Sequence, residues 1–162
     1  MPDSGEVHSA LEAAALRALL EAEPKRLLAV TAGTATAALD ALVAQRPDVL
    51  LRRFTPGDSL DAAAADAPYD LGLLTDAVGV LPDAAAGRLI GALRDRFCRR
   101  VLLVAPAGRW RLASYLAFGF ERRDAGEGWE LYAYDVDRYN PEREWNNPSH
   151  WAHPENFKRY RW

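Results

Sequence analysis

The stretch YDLGLLTDAVGVLPDAAAGRLIGALRDRFCRRVLLVAP (residues 69–106) decides the fold of this 162-residue chain. It begins with a short apolar run, 69–75, and ends with another, 100–105, and both have the length and composition of buried strands. Between them Pro82 opens a segment in which apolar residues recur at helical spacing as far as Phe97. A strand, a helix and a second strand in this order predict two parallel strands joined by a right-handed crossover.

The same alternation continues on both sides of this segment. The predicted elements are helices over 8–22, 34–45 and 109–117, strands over 26–31 and 48–54, and an antiparallel hairpin of 119–123 and 129–136. Ser9 is the expected N-cap of the first helix, with Glu12 three residues later. No strand is predicted in 55–68, where the sequence fits one or two helical turns. The order predicts an α/β fold with a mostly parallel sheet and helices on both faces.

The carboxyl ends of the parallel strands are the place to look for a site, because open α/β sheets bind ligands beyond these ends. The predicted strands end at Thr31, Phe54, Thr75 and Ala105. Residues at and just after these four positions therefore form the candidate site.

Residues 69–106 resemble the second half of a class I S-adenosylmethionine-dependent methyltransferase, in which a strand ends in an acidic turn, a helix opens with Pro and an LLV-type strand follows. The segment LAFGF, Leu116 to Phe120, is similar to the stretch that leads into the last hairpin of that family. The resemblance covers roughly residues 8–136. It implies a Rossmann-like, methyltransferase-type sheet with an antiparallel terminal hairpin, shortened here around the third strand.

The first cofactor motif of that family is altered in this sequence. The resemblance implies a first strand that ends in an acidic residue and a Gly-x-Gly-x-Gly loop, but the matching residues are Thr31, Gly33, Ala35 and Ala37. The carboxylate expected near the cationic amino-acid part of the cofactor is missing. Two glycines, which allow close approach and positive φ, are replaced by alanines.

Two further motifs depart from the family pattern. The acid that holds the ribose hydroxyls falls on Arg52 or Arg53, which cannot accept hydrogen bonds. These arginines could hold a phosphate or could form a solvated pair at the end of a strand. Asp76 is retained, but Gly79 and Val80 stand where the family often has Glu-His. Asp76 could contact a cofactor or a substrate amine, or it could cap the next turn with its own side chain.

We therefore expect any ligand to lie over the carboxyl edge of the sheet. The candidate binding residues are Thr31, Gly33, Thr34, Arg53, Thr75 and Asp76. No catalytic residue is identified, and no resident cofactor is expected, S-adenosylmethionine being the one candidate. The predicted function is a non-catalytic binding or scaffolding role for a methyltransferase-like protein, with a small molecule or a protein as partner; whether it is an enzyme stays open. The alternatives are an atypical S-adenosylmethionine-dependent methyltransferase and an RNA- or ribosome-associated factor that uses the basic aromatic tail.

The last part of the chain has a different composition, so we predict a methyltransferase-like domain over 1–137 and an aromatic-rich tail, 138–162, packed on it. The tail contains no Leu, Ile, Val or Met but has six aromatic residues, Tyr139, Trp145, Trp151, Phe157, Tyr160 and Trp162. Its segments WNNP (145–148), HPENF (153–157) and RYRW (159–162) resemble those of a small bacterial family of unknown function.

Composition and charge exclude several classes. The formal net charge of −3 gives no general attraction for phosphates, so we expect no nucleic-acid partner. The single cysteine, Cys98, excludes an internal disulfide, and His150 and His153 lack a third metal ligand, so we expect no metal site. The sequence shows no membrane-spanning run and no signal peptide at its start, and we expect a cytoplasmic protein.

Overall fold

Six strands and six helices make up the part of the chain that the structure describes, residues 4–139 of a computed structural model. The strands are β1 (Arg26–Val30), β2 (Leu50–Phe54), β3 (Tyr69–Leu74), β4 (Cys98–Pro106), β5 (Glu121–Gly126) and β6 (Trp129–Asp135). The helices are α1 (Ser4–Ala22), α2 (Thr36–Gln45), α3 (Ala77–Val80), α4 (Asp83–Ala92), α5 (Leu112–Ala117) and α6 (Val136–Tyr139). A 3₁₀ turn covers Asp61–Asp66, and a π-helical turn, Leu93–Phe97, extends α4.

The strands form one sheet in the order β2-β1-β3-β4-β6-β5. β1 to β4 are parallel, whereas β6 pairs antiparallel with both β4 and β5. The parallel part has the strand order of a Rossmann sheet that lacks its third strand. The predicted methyltransferase-like architecture is therefore confirmed, including the shortened region and the terminal antiparallel hairpin.

The shortened region carries a 3₁₀ turn instead of a strand. Ala63 of this turn is completely buried, and its carbonyl oxygen accepts a hydrogen bond of 2.9 Å from the hydroxyl of Tyr69 at the start of β3. A run of alanines allows this close approach because the side chains are small. The segment thus covers one face of the sheet and adds no strand to its edge.

Helices pack on both faces of the sheet because residues of the parallel strands alternate between two cores. In β1, Leu28 and Val30 face the core formed with the 3₁₀ turn, α3, α4 and α5. Leu27 and Ala29 face the opposite core, which is formed with α1 and α2. The near-continuous apolar sequence of β1 follows from burial on both faces.

Some predicted boundaries and contacts differ from the structure. The first helix already includes Ser4, so Ser9 lies inside it and is not its N-cap. The predicted helix from Pro82 to Phe97 is divided into α4 and the π-helical turn. The predicted tail packing and the boundary at 137/138 concern a segment that falls mostly outside the described residues. No helix within 4–139 is both long enough and apolar enough to cross a membrane.

Candidate functional site

The strand order reverses direction at β1, with β2 on one side and β3 on the other. In open α/β sheets this switch point is where the crevice for a ligand opens. Thr31 follows β1 and Thr75 follows β3, and the two are adjacent because the Thr75 N–H donates to the carbonyl oxygen of Val30 at 2.9 Å. The crevice is bounded by the switch-point loop, residues 31–35, which connects β1 to α2.

The carboxylate of Asp76 closes this loop from the neighbouring strand. Its Oδ2 accepts hydrogen bonds from the N–H groups of Ala32 at 2.9 Å and Thr34 at 3.1 Å, and from the Thr75 hydroxyl at 3.0 Å. Its Oδ1 accepts one from the Thr34 hydroxyl. Backbone N–H groups that converge on one point in this way form an anion-binding concavity. Here the chain's own carboxylate occupies it.

These contacts keep Asp76 ionised. Burial alone would raise the pKa of the carboxyl group, but hydrogen bonds from the Thr34 hydroxyl, from the N–H groups of Ala32 and Thr34 and from the Thr75 hydroxyl outweigh it. The pKa of Asp76 therefore lies below its ordinary value. The side chain does not cap the following turn, so that alternative for Asp76 is wrong.

Thr31 completes the loop from inside. Its hydroxyl donates to the carbonyl oxygen of Thr34 at 2.6 Å and accepts a hydrogen bond from the Gly33 N–H at 3.1 Å. The same hydroxyl lies 3.3 Å from the Asp76 carboxylate. Thr31 thus stabilises the loop itself.

The loop has positive φ angles at two positions, of which only one is a glycine. Ala35 has φ of 64°, in the left-handed region, and Gly33 has φ of 139°. Ala35 is completely buried against the α1 and α2 core. Ala37, by contrast, lies within the regular helix α2, where glycine is not required. An alanine therefore carries a conformational cost at position 35 but not at position 37.

A second carboxylate of the chain lies at the start of α2. Glu12 of α1 accepts a hydrogen bond of 2.8 Å from the N–H of Ala38, in the first turn of α2. Its other oxygen lies 3.5 Å from His8. Glu12 therefore stabilises the first turn of α2 and is not part of a capping box with Ser9. The N-terminus of this helix is the usual anion-binding position of a Rossmann fold.

The two arginines of β2 are engaged in ion pairs outside the switch-point loop. Arg53 lies beside Ala29 in register and contacts Asp40 of α2 at 2.5 Å. Arg52, on the opposite face, contacts Asp66 of the 3₁₀ turn at 2.6 Å. The sequence left a phosphate site or a solvated pair open for these arginines, and the structure shows two separate, partly exposed ion pairs. After β2, the N–H of Thr55 donates to Asp58 at 2.7 Å, and this carboxylate was not identified from sequence.

A cleft of about 300 Å³ lies next to Asp76, between the switch-point loop and the end of the hairpin. Its lining residues are Leu11, Thr34, Asp76, Gly79, Val80, Val104, Ala105, Pro106, Gly128 and Trp129. Asp76 is the one charged side chain among them. Val80 is 62% exposed at its rim, so the cleft is open to solvent.

Five of the six residues expected from sequence are brought together here. Thr31, Gly33, Thr34, Thr75 and Asp76 form one hydrogen-bonded unit, whereas Arg53 pairs elsewhere. Sequence reasoning misassigned Glu12 and missed the cleft wall from Leu11 and Trp129, since no local pattern places α1 or the hairpin beside the loop.

The other groups considered from sequence lie apart from the cleft. Cys98 is buried, and burial raises the pKa of its thiol to about 12, so it is not a reactive thiolate. Within residues 4–139 no group of three His, Cys, Asp or Glu side chains could hold a metal ion. His150 and His153 lie outside the described residues.

Comparisons with known proteins bear on the family and the fold. The model of a family of unknown function, DUF6231, matches residues 9–162. No curated protein sequence matches the chain. An O-methyltransferase family protein from Burkholderia thailandensis is similar in structure, with 12% identity and a TM-score of 0.48, over 82% of this chain and 60% of its own. An rRNA methylase from Escherichia coli is similar with 16% identity and a TM-score of 0.39, over 81% of this chain and 76% of its own.

The chain thus spans only about three fifths of that O-methyltransferase. At these identities and TM-scores the fold assignment depends on the strand order and pairing of the sheet. The match of the family model confirms the predicted relationship to a family of unknown function.

Proposed function

The chain belongs to the family of unknown function DUF6231, and we propose that it is a methyltransferase-like binding or scaffolding protein that does not use S-adenosylmethionine. The crevice that would receive a cofactor is retained in outline. Its polar groups, however, are engaged within the protein.

One observation carries this proposal: Asp76 accepts the hydrogen bonds of the switch-point loop. The N–H groups of Ala32 and Thr34 already donate hydrogen bonds to its carboxylate, at 2.9 and 3.1 Å. A cofactor that needs these donors would have to displace Asp76. The half-buried Asp76 carboxylate would then lose the donors that stabilise it, at a cost of about 1–3 kcal/mol.

Two further features support the same conclusion. Glu12 accepts the hydrogen bond of the Ala38 N–H in the first turn of α2. An anionic ligand group at this helix N-terminus would therefore be repelled by a carboxylate. The last residues of β2, Arg52 to Phe54, offer no carboxylate for ribose hydroxyls. The residues present therefore do not fit S-adenosylmethionine, and no reaction step is assigned to it.

Isothermal titration of the full chain with S-adenosylmethionine and with its demethylated product tests the proposal. A known methyltransferase, titrated with the same solutions, is the positive control. We expect no saturable heat up to about 1 mM ligand, which corresponds to a binding free energy weaker than about −4 kcal/mol. Saturable binding of either compound would overturn the proposal.

A second candidate, an atypical methyltransferase, is favoured by the position of Asp76. Its carboxylate lies 3.3 Å from the Thr31 hydroxyl. It therefore supplies a negative charge beside position 31, where the resemblance to class I methyltransferases implies an acidic residue. If this candidate holds, S-adenosylmethionine binds the wild type, and Asp76→Asn weakens that binding more than tenfold. The RNA-associated alternative depends on the tail, outside the described residues. Negligible retention of RNA by the full chain at low salt would exclude it.

A further inference from the structure

The cleft beside Asp76 combines apolar walls with a single charge. Leu11, Val80, Val104 and Pro106 contribute apolar surface, and Trp129 contributes an aromatic side chain. Its volume of about 300 Å³ is at the lower end of the range for small-molecule sites. By contrast, the clefts at the opposite edge of the sheet are lined by both acidic and basic side chains.

The charge of Asp76 is not neutralised by a cation among the described residues. The partners of its carboxylate are two N–H groups and neutral hydroxyls. None of the ion pairs within residues 4–139 includes it, although ten such pairs involve other carboxylates. A half-buried carboxylate held ionised by neutral dipoles still attracts a positive charge at close range.

The lining also decides which ligands are disfavoured. It contains no Lys, Arg or His. A phosphate or carboxylate group in the cleft would therefore be repelled by Asp76, and no cationic side chain of the lining would compensate for this repulsion. A neutral apolar molecule would leave the charge of Asp76 uncompensated. Trp129 adds an aromatic side chain to this lining, and a Trp ring attracts a cation that lies over its face.

We propose that the cleft between Asp76 and Trp129 binds a small organic cation, an amine or ammonium group carried on a compact apolar body. The cationic group lies against the Asp76 carboxylate, and the apolar body fills the space towards Leu11, Val104 and Pro106. This inference rests on the proposed function, because it names the class of ligand for the same non-catalytic crevice.

Three probes of one shape test the class of ligand: 2-phenylethylamine, 2-phenylethanol and phenylacetate. Their binding to the full chain is measured by ligand-observed NMR and by isothermal titration. We expect the amine to bind at least about fivefold more tightly than the alcohol, and phenylacetate not to bind. Equal affinities for the three probes, tighter binding of phenylacetate, or no binding of the amine would each overturn the proposal.

Charge variants at the rim test the location without disturbing the loop. Val80 is exposed, so Val80→Lys and Val80→Glu should both fold, as circular dichroism can verify. We expect Val80→Lys to weaken binding of the amine by about tenfold and Val80→Glu to strengthen it. A change in the same direction in both variants would contradict an electrostatic site here.

Asp76→Asn is the direct test, with Asp137→Asn as a matched control. Asp137 lies in α6 and forms an ion pair with Arg99. Arg99 lies near the start of β4, at the opposite edge of the parallel strands. We expect Asp76→Asn to remove the preference for the amine over the alcohol and Asp137→Asn to keep it. Loss of the preference in both variants would contradict the proposal. If the amine fails to bind and S-adenosylmethionine also fails, this inference is wrong but the proposed function stands.

Discussion

The loop after β1 and the segment after β2 leave the same edge of the sheet, yet a carboxylate holds each of them differently. Asp76 reaches the switch-point loop from 42 to 45 positions along the chain and accepts hydrogen bonds from two backbone N–H groups and from hydroxyls. Asp58 lies only three positions from Thr55 and accepts one N–H, in an exposed turn. The first contact fixes how two strands sit relative to each other, whereas the second shapes one turn.

The charged groups of the two regions also differ in burial and in the kind of partner. Beside β2, Arg52 and Arg53 form ion pairs with partly exposed partners, and such pairs contribute little in water. At the switch point Asp76 is half-buried and is held by neutral donors. Several hydrogen bonds to one partly buried charged group are worth more than an exposed ion pair, so stability and ligand preference should depend on the switch point and not on β2.

The largest expected effect is the loss of the Asp76 carboxylate. Asp76→Ala leaves the N–H groups of Ala32 and Thr34 without their acceptor, and we expect a loss of about 2–3 kcal/mol in the free energy of unfolding. The matched variant Asp58→Ala removes one exposed acceptor and should cost about 0.5–1 kcal/mol. Urea denaturation measures both. Equal losses would remove the distinction between the two loops.

The next effect is a pH dependence that belongs to the switch point. The pKa of Asp76 is lower in the folded than in the unfolded state, so its contribution to stability is complete above the unfolded pKa. It is lost as the pH falls through the folded pKa. We expect the stability difference between wild type and Asp76→Asn to be constant above about pH 5 and to shrink below it. A difference that grows on acidification would contradict the assigned direction.

A smaller effect is expected for glycine substitutions at positions 35 and 37. Ala35 has a positive φ, which costs an L-residue with a Cβ about 1–2 kcal/mol, and glycine avoids this cost. Glycine also loses more conformational freedom on folding and would remove a methyl group that is completely buried here, so the terms nearly cancel and we expect Ala35→Gly to change the free energy of unfolding by less than about 0.5 kcal/mol. Ala37→Gly, inside α2, should instead destabilise it by about 1 kcal/mol. Thermal unfolding distinguishes the two, and equal losses of stability in both variants would contradict the account.

The smallest effect is expected at β2. Arg53→Gln removes the exposed ion pair with Asp40, and we expect a change of less than about 0.5 kcal/mol in the free energy of unfolding. Asp40→Asn should give the same small change. A loss above about 1.5 kcal/mol in either variant would show that β2 is as important for stability as the switch-point loop.

The comparison also shows what could be predicted from the sequence. The parallel strands followed from the alternation of apolar runs, because buried parallel strands such as β1 are apolar on both faces. The missing third strand followed from the resemblance to class I methyltransferases, and the strand order became known only from the structure. Thr31, Gly33, Thr34, Thr75 and Asp76 were identified because strand ends are local features. Glu12 was misassigned, since its partner Ala38 lies 26 positions away and depends on how α1 packs on α2. The left-handed backbone at Ala35 could be inferred only from the glycine that the resemblance to class I methyltransferases implies at this position.

The most direct test of the central claim, that Asp76 itself occupies the donors of the switch-point loop, is an amide NMR titration with S-adenosylmethionine. The signals of Ala32, Gly33 and Thr34 report the loop, and those of Thr55 and Asp58 report the end of β2 as an internal reference. The account predicts no saturable shift at any of these amides up to about 1 mM ligand. Saturable shifts confined to Ala32, Gly33 and Thr34 would show that the cofactor displaces Asp76 and would contradict it.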